Sequence, residues 1–192
     1  MLAGRARRAG LLMALMAWCA AAHGKESAAS IGLAGGWFKP NCLAAQASVS
    51  PFDSLATAPW LAVVLSSRAF SGTSLRLSAG CWAHGGERSL TVVPVSLDFK
   101  HELVQGLPFR PYVAYGGAIY WGWEAQWREV RRAPPAARGW GATLGVGLDV
   151  KLGRHCSALA EFDYLYVTFR QELGRAKDYS GPRLMLGLSH GF

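Results

Sequence analysis

The sequence predicts an all-β protein: an eight-stranded antiparallel transmembrane β-barrel preceded by a cleaved signal peptide. Three observations carry this. A short apolar run led by arginines opens the chain, strand-period alternation then recurs eight times, and no later run is apolar for long enough to cross a bilayer as a helix. Of 192 residues 51% are hydrophobic and 17% charged, with a mean hydropathy of +0.15 that is high for a water-soluble globule. The length suits one domain, and the low charge argues against a disordered chain.

Arg5, Arg7 and Arg8 precede the apolar stretch 9–22, and small residues follow at Ala20, Ala22 and Gly24. This is the layout of a secretory signal, and the stretch is shorter than the roughly 20 residues a spanning helix needs. Residues 1–24 are therefore read as the signal peptide and 25–192 as the barrel domain. Removing the signal takes three of 20 basic groups, leaving 17 against 12 acidic ones, a balance of +5. Such mild basicity, without arginines interleaved with aromatics, predicts no nucleic-acid partner.

Each predicted strand has its own pattern. In 139–152 Trp140, Ala142, Leu144, Val146, Leu148, Val150 and Leu152 share one face, against Gly141, Thr143, Gly145, Gly147, Asp149 and Lys151. In 74–82 Leu75, Leu77, Ala79 and Cys81 oppose Ser74, Arg76, Ser78 and Gly80. In 91–100 Val93, Val95, Leu97 and Phe99 oppose Pro94, Ser96, Asp98 and Lys100, with Pro94 marking a bulge or a weakly paired site. In 112–124 Val113, Tyr115, Ile119, Trp121 and Trp123 oppose Ala114, Gly116, Ala118, Tyr120 and Glu124. In 157–168 Ala158, Ala160, Phe162, Tyr164 and Tyr166 oppose Glu161 and Asp163, and in 183–192 Leu184, Leu186, Leu188 and Phe192 oppose Arg183, Met185 and Gly187. Segments 30–38 and 60–70 complete the set with weaker patterns.

Eight is an even number and the smallest in the outer-membrane barrel series, and closure satisfies every backbone group in lipid. Starting in the periplasm, the connections 39–58, 83–89, 125–138 and 170–181 fall outside the cell, and the short turns at 71–73 and 153–155 fall inside. The connection 101–109 is a longer inner turn. Trp37, Trp60, Trp121, Trp123, Trp140 and Tyr166 gather towards one end of their strands, and Phe70, Phe99 and Phe192 towards the other, as two interfacial girdles would. A soluble ligand-binding barrel would reverse the polarity of the two faces. The expected location is the outer membrane of a Gram-negative bacterium, with its lipid and lipopolysaccharide as surroundings.

Three stretches resemble the small outer-membrane β-barrel family that groups OmpA-like, OmpX-like and opacity-type surface proteins. Pro111-Tyr112-Val113-Ala114-Tyr115-Gly116-Gly117 resembles its PYVGxGxG strand. Gly145-Val146-Gly147-Leu148-Asp149-Val150 through Ala160-Glu161-Phe162-Asp163-Tyr164 resembles its GxGxxY…xxExxY hairpin, and Gly187-Leu188-Ser189-His190-Gly191-Phe192 its terminal GxxxxF. The resemblance specifies a barrel and no chemistry. It implies that Phe192 is the terminal aromatic read by the outer-membrane assembly machinery.

The inner-face charges Arg76, Asp98, Glu161, Asp163 and Arg183 are expected to form a plugging polar network, because eight strands leave an interior that side chains fill and ionised groups there must be paired. Arg128, Arg131, Arg132 and Arg138 form a candidate anion-binding loop for lipopolysaccharide phosphates or a host polyanion. Cys42 and Cys81 fall on the predicted outer side and Cys156 on the inner, which makes Cys42 to Cys81 the possible disulfide in an oxidising envelope. The histidines have no metal-ligand spacing and the glycines open no nucleotide loop, so neither metal nor cofactor is expected. The expected function is a monomeric surface barrel acting through its extracellular loops in adhesion, surface binding or envelope stabilisation, without catalysis and with a host or surface ligand. The alternative is a deacylase-like acyl-transfer enzyme on lipid A, for which His155-Cys156-Ser157 has the His-x-Ser spacing.

Overall fold

The computed structural model describes residues 29–42, 57–84, 88–104, 107–126, 136–173 and 176–192. The segment read as the signal peptide, 1–24, lies outside them. Nine strands follow in order: β1 (Ala29–Phe38), β2 (Ala58–Phe70), β3 (Thr73–His84), β4 (Arg88–Glu102), β5 (Phe109–Gln126), β6 (Ala137–Lys151), β7 (Cys156–Leu173), β8 (Ala176–Asp178) and β9 (Gly181–Gly191). Strands β1 to β7 pair with their chain neighbours, β7 pairs with β9, and β9 returns to β1, all antiparallel. The eight long strands therefore close a barrel, which removes every open edge. The three-residue β8 is an addition the alternation did not signal, and it lies on the end of β7.

Alternation decides which side chains enter. Ile31, Leu33, Leu61, Leu65, Leu77, Leu97, Ile119, Leu144, Val146, Phe162 and Leu186 are all exposed on the outer wall. An apolar belt of this size facing water would be an aggregation hazard; facing lipid it is the stable arrangement.

One end of the barrel, the turn end, carries the start of β1, Phe192 and the tight connections. Strands β2 and β3 are joined there by Ser71 and Gly72, whose φ of 75° is a left-handed conformation that glycine adopts without steric cost. The opposite, loop end carries the two longest connections, 39–57 and 127–136, beside the short one at 85–87. Between β3 and β4 the ladder runs to Ala79↔Val95 and resumes at Trp82↔Val92 in unchanged register. The gap falls at Pro94, which has no N–H to donate, so the expected irregularity is a lapse in pairing and not a bulge.

Candidate functional site: a layered lumen and a basic rim

The lumen contains three layers, and an ionic one divides it. Arg76 on β3 stands opposite Asp98 on β4, and Asp163 on β7 opposite Arg183 on β9, each pair in cross-strand register. From β3 Arg76 reaches across the lumen to Glu161, donating from Nη1 to Oε2 at 2.5 Å and from Nη2 to Oε1 at 2.8 Å. Arg183 grips Asp163 through Nε and Nη2, the latter at 2.6 Å, and Nη2 also lies 3.9 Å from Glu161. The second carboxylate partner of Arg76 is Asp98 at 3.5 Å, itself held by the Ser96 hydroxyl at 3.0 Å. Tyr112 donates its hydroxyl to Glu161 Oε2 at 2.7 Å. It can lie flat against the wall because residue 147 is glycine: a Cβ there would sit 2.3 Å from the ring. All five charged residues are at most 7% exposed, as paired ions in a narrow interior must be.

Towards the loop end the lumen is apolar and aromatic. Phe38, Trp82 and Tyr179 pack in sequence with ring centroids 5.4 and 5.9 Å apart, and Phe169 and Tyr120 extend the cluster. Tyr179 donates to the Leu173 carbonyl, tying the short β8 segment over the cluster, and burial pushes its phenol pKa upward. Trp60 belongs inside, at 4% exposed, with the Arg183 guanidinium 4.3 Å above its ring. This corrects its expected place in the outer girdle. Residues 58–65 are apolar on both faces, so their parity was ambiguous, and the even positions face inward.

Towards the turn end the lumen is hydrophilic. Lys100 meets Asp149 at 2.5 Å, and Arg110 meets Glu102 at 3.1 Å and Asp149 at 3.6 Å. These residues rim a cavity of about 140 Å³ that opens at this end. The alternation puts Lys100 and Asp149 on inner faces, as found, whereas Glu102 and Arg110 lie outside the segments 91–100 and 112–124. Extending the β4 and β5 alternation by one step at their shared end would have found both.

Comparison with solved structures bears on what such a molecule is. The chain superposes on Neisserial surface protein A with a TM-score of 0.64 at 11% identity, covering 86% of this chain and 98% of that one. On OprG of Pseudomonas aeruginosa the TM-score is 0.58 at 15% identity, covering 88% and 98%. On Ail, the attachment invasion locus protein of Yersinia pestis, it is 0.51 at 14%, covering 88% and 100%. The fold is that of the small outer-membrane barrels. At these identities the likeness is one of fold, and the sequence itself matches no protein-family model and no curated protein.

In an outer-membrane barrel the short turns face the periplasm and the longer loops face outward. Arg128, Arg131 and Arg132 lie outside the described residues. Arg138, the fourth member of the candidate loop, is the second residue of β6, opposite Trp121, with its side chain exposed. The β6–β7 ladder ends at Gly139↔Phe169, and the next residue on each strand, Arg138 and Arg170, is exposed. Just below them on the outer wall are Trp140 and Tyr166, 62% and 58% exposed.

The expected Cys42 to Cys81 disulfide does not form. Cys81 points outward from β3 opposite Leu61, whereas Cys42 packs against the interior cluster, so the wall separates them. Phe192 is 69% exposed at the turn end, anchored through its backbone N–H to the Ala29 carbonyl at 3.0 Å. His155 and Ser157 do not meet as an acyl-transfer pair. His155 Nδ1 lies 3.1 Å from the Gly191 carbonyl, and the Ser157 hydroxyl bonds that of Ser189 at 2.8 Å.

Proposed function

We propose that the protein is a surface barrel of a Gram-negative outer membrane whose outward rim holds polyanions, lipopolysaccharide in its own membrane or a sulfated or phosphorylated ligand on a host surface, without catalysis. The observation that carries this is the two exposed arginines, Arg138 and Arg170, that follow the last pair of the β6–β7 ladder, beyond the exposed Trp140 and Tyr166. Like charges at the ends of adjacent strands repel, and a bound oxyanion contacting both relieves the repulsion. A solute-conducting role is disfavoured by the ionic layer and aromatic cluster that fill the lumen. Ail has been crystallised with the heparin analogue sucrose octasulfate, and the same ligand class suits an arginine-rich rim here.

The test is retention of the detergent-solubilised protein on immobilised heparin and on lipopolysaccharide. Changing Arg138→Gln and Arg170→Gln together should weaken both by about tenfold, the effect of losing a charge-assisted contact or two. Retention unchanged in a folded double variant refutes the rim as the binding surface. Altered acyl number in lipid A from expressing cells would instead favour an enzyme.

A further inference from the structure

We infer that the ionic layer binds one proton at neutral pH and carries it on Asp98. The layer is short of positive charge. Arg76 and Arg183 supply two guanidinium groups against the three carboxylates of Asp98, Glu161 and Asp163, and all five side chains are buried. Among the described residues no neighbouring layer makes up the difference. At the turn end Lys100 and Arg110 are matched by Asp149 and Glu102, and towards the loop end the lumen is filled by aromatic and aliphatic side chains. A carboxylate left uncompensated in so dry a place takes up a proton rather than stay charged.

Hydrogen bonding selects the carrier. Glu161 accepts two bonds from Arg76 and one from Tyr112, and Asp163 accepts three from Arg183. Bonds of this kind hold a carboxylate in its charged form. Asp98 accepts one, from Ser96 to Oδ2 at 3.0 Å, while Arg76 stands off at 3.5 Å. Its Oδ1 is buried without a hydrogen-bond partner, and lies against the β5 backbone at Gly116, where a Cβ would come within 2.4 Å of it. The ionisable groups that face Asp98 are Arg76 from β3, Tyr120 from β5, Glu161 from β7 and Arg183 from β9, and Lys100, two residues along β4, is committed to Asp149. Both arginines are thus held by the other two carboxylates, and Asp98 is the one whose neutral form disturbs the network least. A metal ion does not replace the proton. Asp98 is 2% exposed and does not line the vestibule, so an ion there would have to shed its water for one free oxygen.

Infrared spectroscopy of the protein purified from membranes in detergent reads the proton directly. At neutral pH the C=O stretch of a neutral carboxyl should be present in the parent and absent from Asp98→Asn, a change of nearly equal shape that keeps the neutral form of the layer. Stability gives a second reading. The folded chain then binds one proton more than the unfolded chain, whose aspartates ionise at about pH 4, so stability falls as pH rises above that value. From mildly acidic to neutral pH the unfolding constant of the parent in urea should climb about tenfold more per pH unit than that of Asp98→Asn, the histidines contributing equally to both. At neutral pH Asp98→Asn should therefore have the higher urea midpoint. A parent without the band overturns the inference whatever the variant does. A band that persists in Asp98→Asn, or a variant midpoint below the parent's with the same pH dependence, overturns it as well. A midpoint that rises with sodium at constant ionic strength in the parent but not in Asp98→Asn would overturn the proton in favour of a bound metal ion.

Discussion

Glu161 receives three hydrogen bonds, two from Arg76 and one from Tyr112, in a site 1% exposed to solvent. Removing one partner of a buried pair leaves the other uncompensated, so Glu161→Ala should lower stability by about 3–5 kcal/mol, read as the urea midpoint of the folded band on an unheated gel. A midpoint equal to the parent's would mean that the ionic layer contributes nothing to closure. Gly147→Val tests the same layer from the wall side, because a side chain there displaces the Tyr112 ring. The expected loss is about 1–3 kcal/mol, the penalty of a buried partner left unsatisfied. Both depend on facts legible at different levels. Alternation alone put Arg76, Asp98, Glu161, Asp163 and Arg183 on inner faces, whereas the reach of Arg76 from β3 to Glu161 on β7 needs the closed barrel and has no signature in local spacing.

At the scale of elements, strands with a clean period of two were readable and those apolar on both faces were not. β6 alternates apolar residues with glycine, threonine or charge, and β7 does so around Glu161 and Asp163, so these faces follow at once from the sequence. The apolar start of β2 does not alternate, so its pattern carries no sign that Trp60 faces inward beneath Arg183. β8 has no sequence signature, because three residues carry no period. Its tether is testable: Tyr179→Phe removes the buried bond to the Leu173 carbonyl and should cost about 1 kcal/mol, with faster proteolytic cleavage between β7 and β9 while the barrel core stays protected. Cleavage at the parental rate would show that aromatic packing alone holds the segment. On the lipid face, Val146→Arg places a charge between Val113 and Phe162 in the belt and should cost about 2–4 kcal/mol in bilayers. A tolerated arginine at this position would mean that this wall faces water.

For the whole molecule, an outer wall that is apolar nearly everywhere surrounds a lumen that changes character along its axis, from hydrophilic vestibule through ion layer to aromatic cluster. Composition and alternation foretold the wall. They did not foretell the aromatic filling, since Phe38, Trp82, Val92, Tyr120 and Phe169 sit at positions where a water-filled barrel would carry polar residues. That filling is what a soluble barrel's core would contain, so the decisive distinction is the exposed belt and not the interior. Heat modifiability tests it directly: the protein is extracted in detergent and run, boiled and unboiled, on a denaturing gel. A membrane-spanning barrel gives two bands of different mobility and requires detergent throughout. A single band in both lanes from a chain that stays in solution without detergent would contradict it.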